Sequence, residues 1–131
     1  MIKRTDGFTV IELLVIILVL GTASVLFFMQ KGNLEIASRD QQRKTAINAM
    51  YYSLEEVFYN TNRYYPMTIS QANLPSVDPT LFTDPYDVKI GKADSNYRYE
   101  PVNCVDDKCK SYTLRTTLEN EADFVKKSKN Q

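Results

Sequence analysis

The hydrophobic residues of this chain begin with an unbroken apolar run. Residues 8–29 contain a single charged side chain, Glu12. As a helix with a rise of 1.5 Å per residue, such a run is roughly 33 Å long, which is about the thickness of a bilayer. We therefore predict that residues 8–29 form a transmembrane helix.

Residues 30–62 continue the helical pattern but become amphipathic. Apolar side chains recur at spacings of three and four, as expected for the buried face of a helix: Ile47, Met50, Tyr51, Leu54, Val57 and Phe58. The charged side chains are expected on the other faces: Arg39, Asp40, Arg43, Lys44, Glu55 and Glu56. No proline precedes Pro66, so we predict one helix from residue 8 to about residue 60. Such a helix is roughly 80 Å long, so half of it is expected to protrude from the domain that it packs against.

The remaining residues, 63–131, are predicted to form a small globular domain. Residues 63–94 are rich in proline and short polar side chains and indicate a long irregular loop. Apolar and polar side chains alternate around Tyr97 and around Tyr112, which predicts an antiparallel hairpin. A third strand is predicted at Phe124, and the hairpin and this strand together occupy residues 95–126. Residues 127–131 are predicted to be a solvated tail. The predicted fold is α+β, a long N-terminal helix packed on an antiparallel sheet of about three strands.

Composition and charge restrict the function. The 131 residues contain 16 basic and 16 acidic side chains and no histidine, which removes the commonest general base and zinc ligand. We find no glycine-rich phosphate loop and no catalytic motif, so no enzymatic activity and no cofactor are predicted. Lys3 and Arg4 place the short N-terminal side in the cytoplasm and send the globular domain across the membrane.

The two cysteines, Cys104 and Cys109, lie close together in the part of the chain predicted to be exported. A disulfide at the tip of the hairpin is therefore the favoured interpretation. A metal site is disfavoured, because two thiolates without histidine are too few for a closed zinc site. Five loop aspartates could in principle supply oxygens to calcium, but their spacing matches no known calcium loop, and solvated carboxylates are favoured: Asp84, Asp87, Asp94, Asp106 and Asp107.

The N-terminus resembles the processing and assembly signature of type IV pilins and type II secretion pseudopilins. The resemblance is carried by Gly7-Phe8-Thr9-Val10-Ile11-Glu12, which follows a short charged leader and opens the apolar run. Tyr65-Pro66 and Asp84-Pro85-Tyr86 also resemble the soluble half of these proteins. The resemblance implies a structural subunit of a type IV pilus or a related filament.

In that family a membrane peptidase cuts after the glycine, the new N-terminal phenylalanine is methylated, and the glutamate guides assembly. The resemblance thus implies that residues 1–7 are a leader, that cleavage separates Gly7 from Phe8, that Phe8 is methylated and that Glu12 directs assembly. It also implies as partners further copies of the chain, minor pilins, a prepilin peptidase, and an inner-membrane assembly platform with its ATPase. The subunit would be stored in the cytoplasmic membrane before it enters an extracellular pilus or a periplasmic pseudopilus.

Several alternatives remain open at this stage. The subunit could belong to a secretion or competence system, or the chain could be a membrane-anchored binding module that never polymerises. Gly21 and Gly32 could soften the helix for filament packing, or Gly21 could be a contact point between membrane helices. An ordinary secretory signal is disfavoured, since the apolar run is too long. Nucleic acid is disfavoured but left open as a partner of Lys126, Lys127 and Lys129.

Overall fold

The computed structural model describes residues 7–130. The predicted leader, apart from Gly7, and the last residue therefore lie outside the described residues. The chain divides into two compact units, Met1–Glu35 and Ile36–Gln131. The fold is α+β, as predicted, with one long N-terminal helical segment, Val10–Asn62, and a small antiparallel sheet of four strands.

The helical segment has three parts. Helix α1 comprises Val10–Tyr52, a π-helical stretch comprises Ser53–Phe58, and helix α2 comprises Tyr59–Asn62. The segment ends where Arg63 adopts a left-handed conformation, with φ 64°, and donates its N–H to Tyr59 O at 2.8 Å. This is a usual way to terminate a helix, because the left-handed residue satisfies one of the last free carbonyls.

Strand β3 (Lys108–Thr116) is the centre of the sheet. Strand β2 (Tyr97–Val105) pairs with it along one edge, while β1 (Tyr65–Pro66) and β4 (Phe124–Lys127) pair with its other edge. All pairings are antiparallel. The predicted hairpin and C-terminal strand are confirmed, and β1 is an additional strand that the sequence pattern missed because it has only two residues.

The core of the second unit lies between the helix and the sheet. Three buried helix side chains, Ile47, Met50 and Leu54, belong to one cluster with Tyr112 and Leu114 of β3. Loop residues complete this core: Ile69, Leu74, Val77, Phe82 and Ile90. The predicted irregular loop is thus part of the core, and it contains a 3-10 helix, Pro79–Phe82.

The predicted solvated tail, residues 127–131, is only partly solvated as far as Asn130: Lys127, Lys129 and Asn130 are exposed, whereas Ser128 is buried and its N–H donates to Tyr112 O at 3.1 Å. The placement of three charged helix side chains is wrong. Asp40, Arg43 and Glu55 were expected on outward faces of the helix, but each is at most 4% exposed. Their burial is tolerated because each is hydrogen-bonded within the domain, as the next section describes.

Candidate functional site

The first turn of α1 contains the sequence-predicted assembly residue. Thr9 precedes the helix, and its Oγ1 accepts the N–H of Glu12 at 3.3 Å, which is the N-cap half of a capping box. An acid in the first turn is also stabilised by the partial positive charge of the helix N-terminus. Among the described residues the Glu12 carboxylate has no hydrogen-bond or ion-pair partner, so it is available to a group outside them.

The surface of the helix between residues 8 and 29 is dominated by apolar side chains. From residue 8 to residue 34, every large hydrophobic side chain is exposed, from 38% at Ile16 to 77% at Val10. Within residues 7–130, Val10–Asn62 is the one helical segment long and apolar enough to cross a membrane, and none of its most apolar part is buried. Exposure of so much apolar surface to water is unfavourable, and such surfaces are typical of segments that contact lipid or other proteins.

Gly21 and Gly32 lie inside α1, which continues without interruption through both. A Cβ added at either position would meet no atom within 4 Å. Neither glycine is therefore required by the conformation of the single chain. A role for them in helix softening or close packing with another helix stays a prediction.

The hairpin tip carries the predicted disulfide between Cys104 and Cys109, which are directly opposite each other in the β2–β3 register. Asp106 and Asp107 form the turn with positive φ values of 49° and 62°, the conformation of a two-residue type I′ hairpin. Within residues 7–130 no three acidic or cysteine side chains are grouped as metal ligands.

Asp84 is not the solvated loop carboxylate that we predicted. It is 4% exposed and accepts the backbone N–H groups of Tyr86 and Val88 at 2.9 Å and of Asn96 at 3.0 Å. A carboxylate that accepts three backbone N–H groups fixes the path of a loop. Asp84 is therefore a structural residue of the irregular loop.

A buried charge cluster joins the C-terminal part of α1 to the β3–β4 connection. Arg43 is 1% exposed, and its Nη1 donates to Asp40 Oδ1 at 2.7 Å and to Glu119 Oε1 at 2.9 Å. Asp40 also accepts the N–H of Glu119 at 3.0 Å and that of Asn120 at 3.2 Å. Arg39 adds a two-pronged contact to Glu119, with nitrogen–oxygen distances of 2.7 and 2.6 Å. The sequence signal for this cluster is the Asp40–Arg43 spacing of three, which brings the two side chains together on a helix.

The surroundings of this cluster set its titration. Burial alone would raise the pKa of Asp40, but hydrogen bonds from Glu119 N–H, Asn120 N–H and Arg43 outweigh burial and lower the pKa. Hydrogen bonds from Arg39 and Arg43 lower the pKa of Glu119 from 4.5 to about 2. Both acids therefore remain charged partners of the arginines at neutral pH.

Acidification is expected to weaken this cluster. The pKa of Glu119 is about 2 in the folded chain and 4.5 when unperturbed. The charged carboxylate therefore stabilises the folded chain fully above pH 4.5, and this stabilisation is lost as the pH falls towards 2. We expect wild type to lose more thermal stability than Glu119→Gln between about pH 5 and pH 2. Circular dichroism melts of the detergent-solubilised chain would measure this, with Glu100→Gln as the control at an exposed ion pair. Parallel pH curves for wild type and Glu119→Gln would contradict the assignment.

A second buried cluster surrounds Glu55 in the π-helical stretch. Its carboxylate accepts the hydroxyls of Tyr65 at 3.0 Å and Tyr112 at 2.8 Å, and the N–H of Lys129 at 3.3 Å. Burial, together with the negative charge of Glu55, raises the pKa of Tyr65 to about 12 and also raises the pKa of Tyr112. The cluster joins the helix, the sheet and the chain after β4, and it explains why that last segment is ordered.

Sequence reasoning missed the burial of Glu55 because charged side chains are expected outside the apolar stripe, and an α-helical projection places Glu55 only at the edge of that stripe, four residues after Tyr51. In the π-helical stretch, three consecutive residues are buried: Ser53, Leu54 and Glu55. A π turn is wider than an α turn, so it shifts the face that each following residue presents. The adjacent acids therefore differ, since Glu56 is exposed and pairs with Lys129 Nζ.

These clusters join the helical segment to the sheet and its connections within the second unit. The features that point to a function are the capped, unpaired Glu12 and the exposed apolar surface of the first unit. Comparison with protein-family models, with curated proteins and with solved structures finds no match to this chain.

Proposed function

We propose that this chain is a structural subunit of a type IV pilus or pilus-like filament. It is stored in the cytoplasmic membrane with its C-terminal domain outside, cleaved after Gly7, methylated on Phe8, and polymerised through its N-terminal helix. A prepilin peptidase and an assembly platform with its ATPase supply the chemistry, and the chain itself is not an enzyme. A pseudopilin of a secretion or competence system would share this mechanism.

The observation that carries the proposal is the helical surface of residues 8–29, whose large hydrophobic side chains are all exposed and whose one charged side chain is an unpaired acid. A simple membrane anchor needs the apolar surface but has no use for the acid. Placing a carboxylate inside hydrocarbon costs up to about 2.5 to 3.5 kcal/mol by insertion scales, so its presence indicates a partner.

Cleavage after Gly7 would create that partner. The new amine of Phe8 is cationic, and it would lie at about the same depth in the membrane as the Glu12 carboxylate of a neighbouring copy. Pairing of the two charges in a medium of low dielectric would offset their desolvation. The apolar surfaces would then exchange lipid for helix contacts, and a head-to-tail contact that does not close would propagate as a filament.

The test is the N-terminal mass and the assembly state of the chain in its native membrane, in wild type and in Glu12→Ala. We expect wild type to begin at Phe8 with one added methyl group and to form filaments visible by electron microscopy. Glu12→Ala should be inserted and cleaved normally, yet its filament yield should fall about tenfold or more. Glu35→Ala, which removes another exposed acid of the same helix, is the matched control and should assemble like wild type.

An intact leader and a solitary species in native membranes would exclude the filament subunit and favour a membrane-anchored binding module. If Glu12→Ala formed normal filaments, the filament-subunit function would stand, but the proposed role of Glu12 in assembly would be refuted.

A further inference from the structure

An open polar cleft lies between one face of α1 and the loop that precedes β2. Its volume is about 780 Å³. The helix side consists of four uncharged polar residues that are neighbours on one helical face: Ser38, Gln41, Gln42 and Thr45. All four are exposed, and their side chains form no hydrogen bond within residues 7–130. The helix therefore offers free hydroxyl and amide groups to the cleft.

The loop side of the cleft adds carboxylates and an apolar part. Asp87 is exposed at a left-handed turn, with φ 63°, and its carboxylate has no partner among the described residues. Asp84 also lines the cleft, with its carboxylate held by three backbone N–H groups. Leu81 and Pro85 supply the apolar part of the lining. No basic side chain lines the cleft within residues 7–130, so the lining carries net negative charge.

Tyr97 adds a buried polar group without a protein partner. The residue is 2% exposed, and its hydroxyl forms no hydrogen bond to any described residue. The hydroxyl is not fully enclosed, and the charge of Asp84 acts on it, so it opens onto this cleft. Burial and that charge raise the pKa of Tyr97 to about 12, so the hydroxyl is protonated at neutral pH. A buried hydroxyl without a partner is unusual, and it is a point at which a ligand can bind.

These groups match a ligand with a cationic head and an apolar stem. Carboxylates only accept hydrogen bonds and the Tyr97 hydroxyl can accept one, so they suit a head that only donates, which is an ammonium. An alkyl stem suits Leu81 and Pro85, as lysine stems cover apolar surface elsewhere in proteins. Arg43 also acts on the Tyr97 hydroxyl, but it does not line the cleft and its charge is paired with two carboxylates.

We propose that this cleft binds a lysine side chain on a peptide segment of a partner protein. The ammonium contacts Asp87 and the Tyr97 hydroxyl, and the stem contacts Leu81 and Pro85. The polar face of α1 exchanges hydrogen bonds with the peptide groups on either side of the lysine. A free alkylamine carries the same ammonium and stem, so the experiment distinguishes the two sources. The proposal goes beyond filament assembly and does not depend on it.

The test is an NMR chemical-shift titration of the full chain in nonionic detergent with Nα-acetyl-lysine methylamide. The probe is added to about 10 mM, which detects a Kd of about 1 mM. We expect Asp87→Asn to bind the probe at least about tenfold more weakly, because it keeps the size of the side chain and removes its charge. Asp123→Asn is the matched control, since it removes an exposed carboxylate outside the cleft. It should change affinity by about twofold or less.

A second pair of variants tests the buried hydroxyl. Tyr97→Phe keeps the ring in the core and removes only the oxygen, so binding should weaken about tenfold. Tyr52→Phe removes an exposed hydroxyl outside the cleft and should leave affinity unchanged. Melting temperatures identify any variant that is unfolded.

Two further probes test the chemistry of the ligand. The same probe acetylated on its side-chain nitrogen keeps the stem but has no charge, and it should not bind measurably. Pentylamine has the ammonium and the stem without peptide groups, and it should bind more weakly than the lysine probe. No measurable binding of the lysine probe to wild type, equal losses in Asp87→Asn and Asp123→Asn, or equal binding of the acetylated probe would each overturn the proposal. Equal or tighter binding of pentylamine would overturn a peptide as the source of the ammonium.

Discussion

Replacing Arg43 with methionine is expected to lower the free energy of unfolding of the Ile36–Gln131 unit by about 3 to 5 kcal/mol. The guanidinium is 1% exposed and is the cation within 2.7 Å of Asp40, which is itself 4% exposed. Methionine fills similar space but leaves the Asp40 carboxylate buried without its positive partner. Urea unfolding of the detergent-solubilised chain, followed by circular dichroism, measures the loss.

Two further variants make this prediction specific. Arg115→Met removes an arginine from an ion pair at the surface, with Glu100, and should cost about 1 kcal/mol or less. In the double variant Asp40→Asn with Arg43→Met, the uncompensated charge is removed while an amide oxygen remains for the N–H groups of Glu119 and Asn120. The free energy of unfolding of this double variant should be at least about 1 kcal/mol higher than that of Arg43→Met alone. If Arg43→Met were no more destabilising than Arg115→Met, the buried cluster would not stabilise the domain.

Replacing Glu55 with alanine is expected to cost about 2 to 5 kcal/mol of folding free energy. The carboxylate is the acceptor for two buried hydroxyls, on Tyr65 and Tyr112, and for the N–H of Lys129. Without it, these donors are buried with fewer or no acceptors, and a small cavity is added. The chain after β4 should also detach, so the Lys129 amide should exchange its hydrogen faster than in wild type.

The neighbouring acid is the control for this prediction. Glu56→Ala removes a carboxylate one position away, whose ion pair with Lys129 has side chains more than half exposed. It should change stability by about 1 kcal/mol or less and leave the Lys129 amide protected. Equal destabilisation by the two variants would mean that the π-helical stretch does not distinguish the two acids in the folded protein.

Much of the fold was predictable because it follows from local periodicity. The apolar run before residue 30 and the stripe of Ile47, Met50 and Leu54 predict the long helix. Alternation around Tyr112 predicts the central strand and its partner, and the cysteine spacing predicts the disulfide. These features depend on residues that are near one another in the chain.

The features that were missed depend on distant residues. Asp40 and Glu119 are far apart in sequence, and so are Glu55 and Tyr112, so no helical projection indicates that these acids are buried. Glu55 also depends on the π turn, which changes the direction of its side chain. The short strand β1 and the ordered residues after β4 form only because neighbouring strands and Glu55 provide their hydrogen bonds.

The sequence by itself determined the apolar helix of residues 8–29, because a helix that is apolar along its whole surface follows from a continuous run of apolar residues. It also determined the single acid, Glu12, on which the proposed assembly depends. Only the tertiary structure decided which charged residues of the Ile36–Gln131 unit are buried and which are paired. The physical reason is that a charge is stable in the interior only if the completed fold brings partners to it, and those partners come from separate parts of the chain.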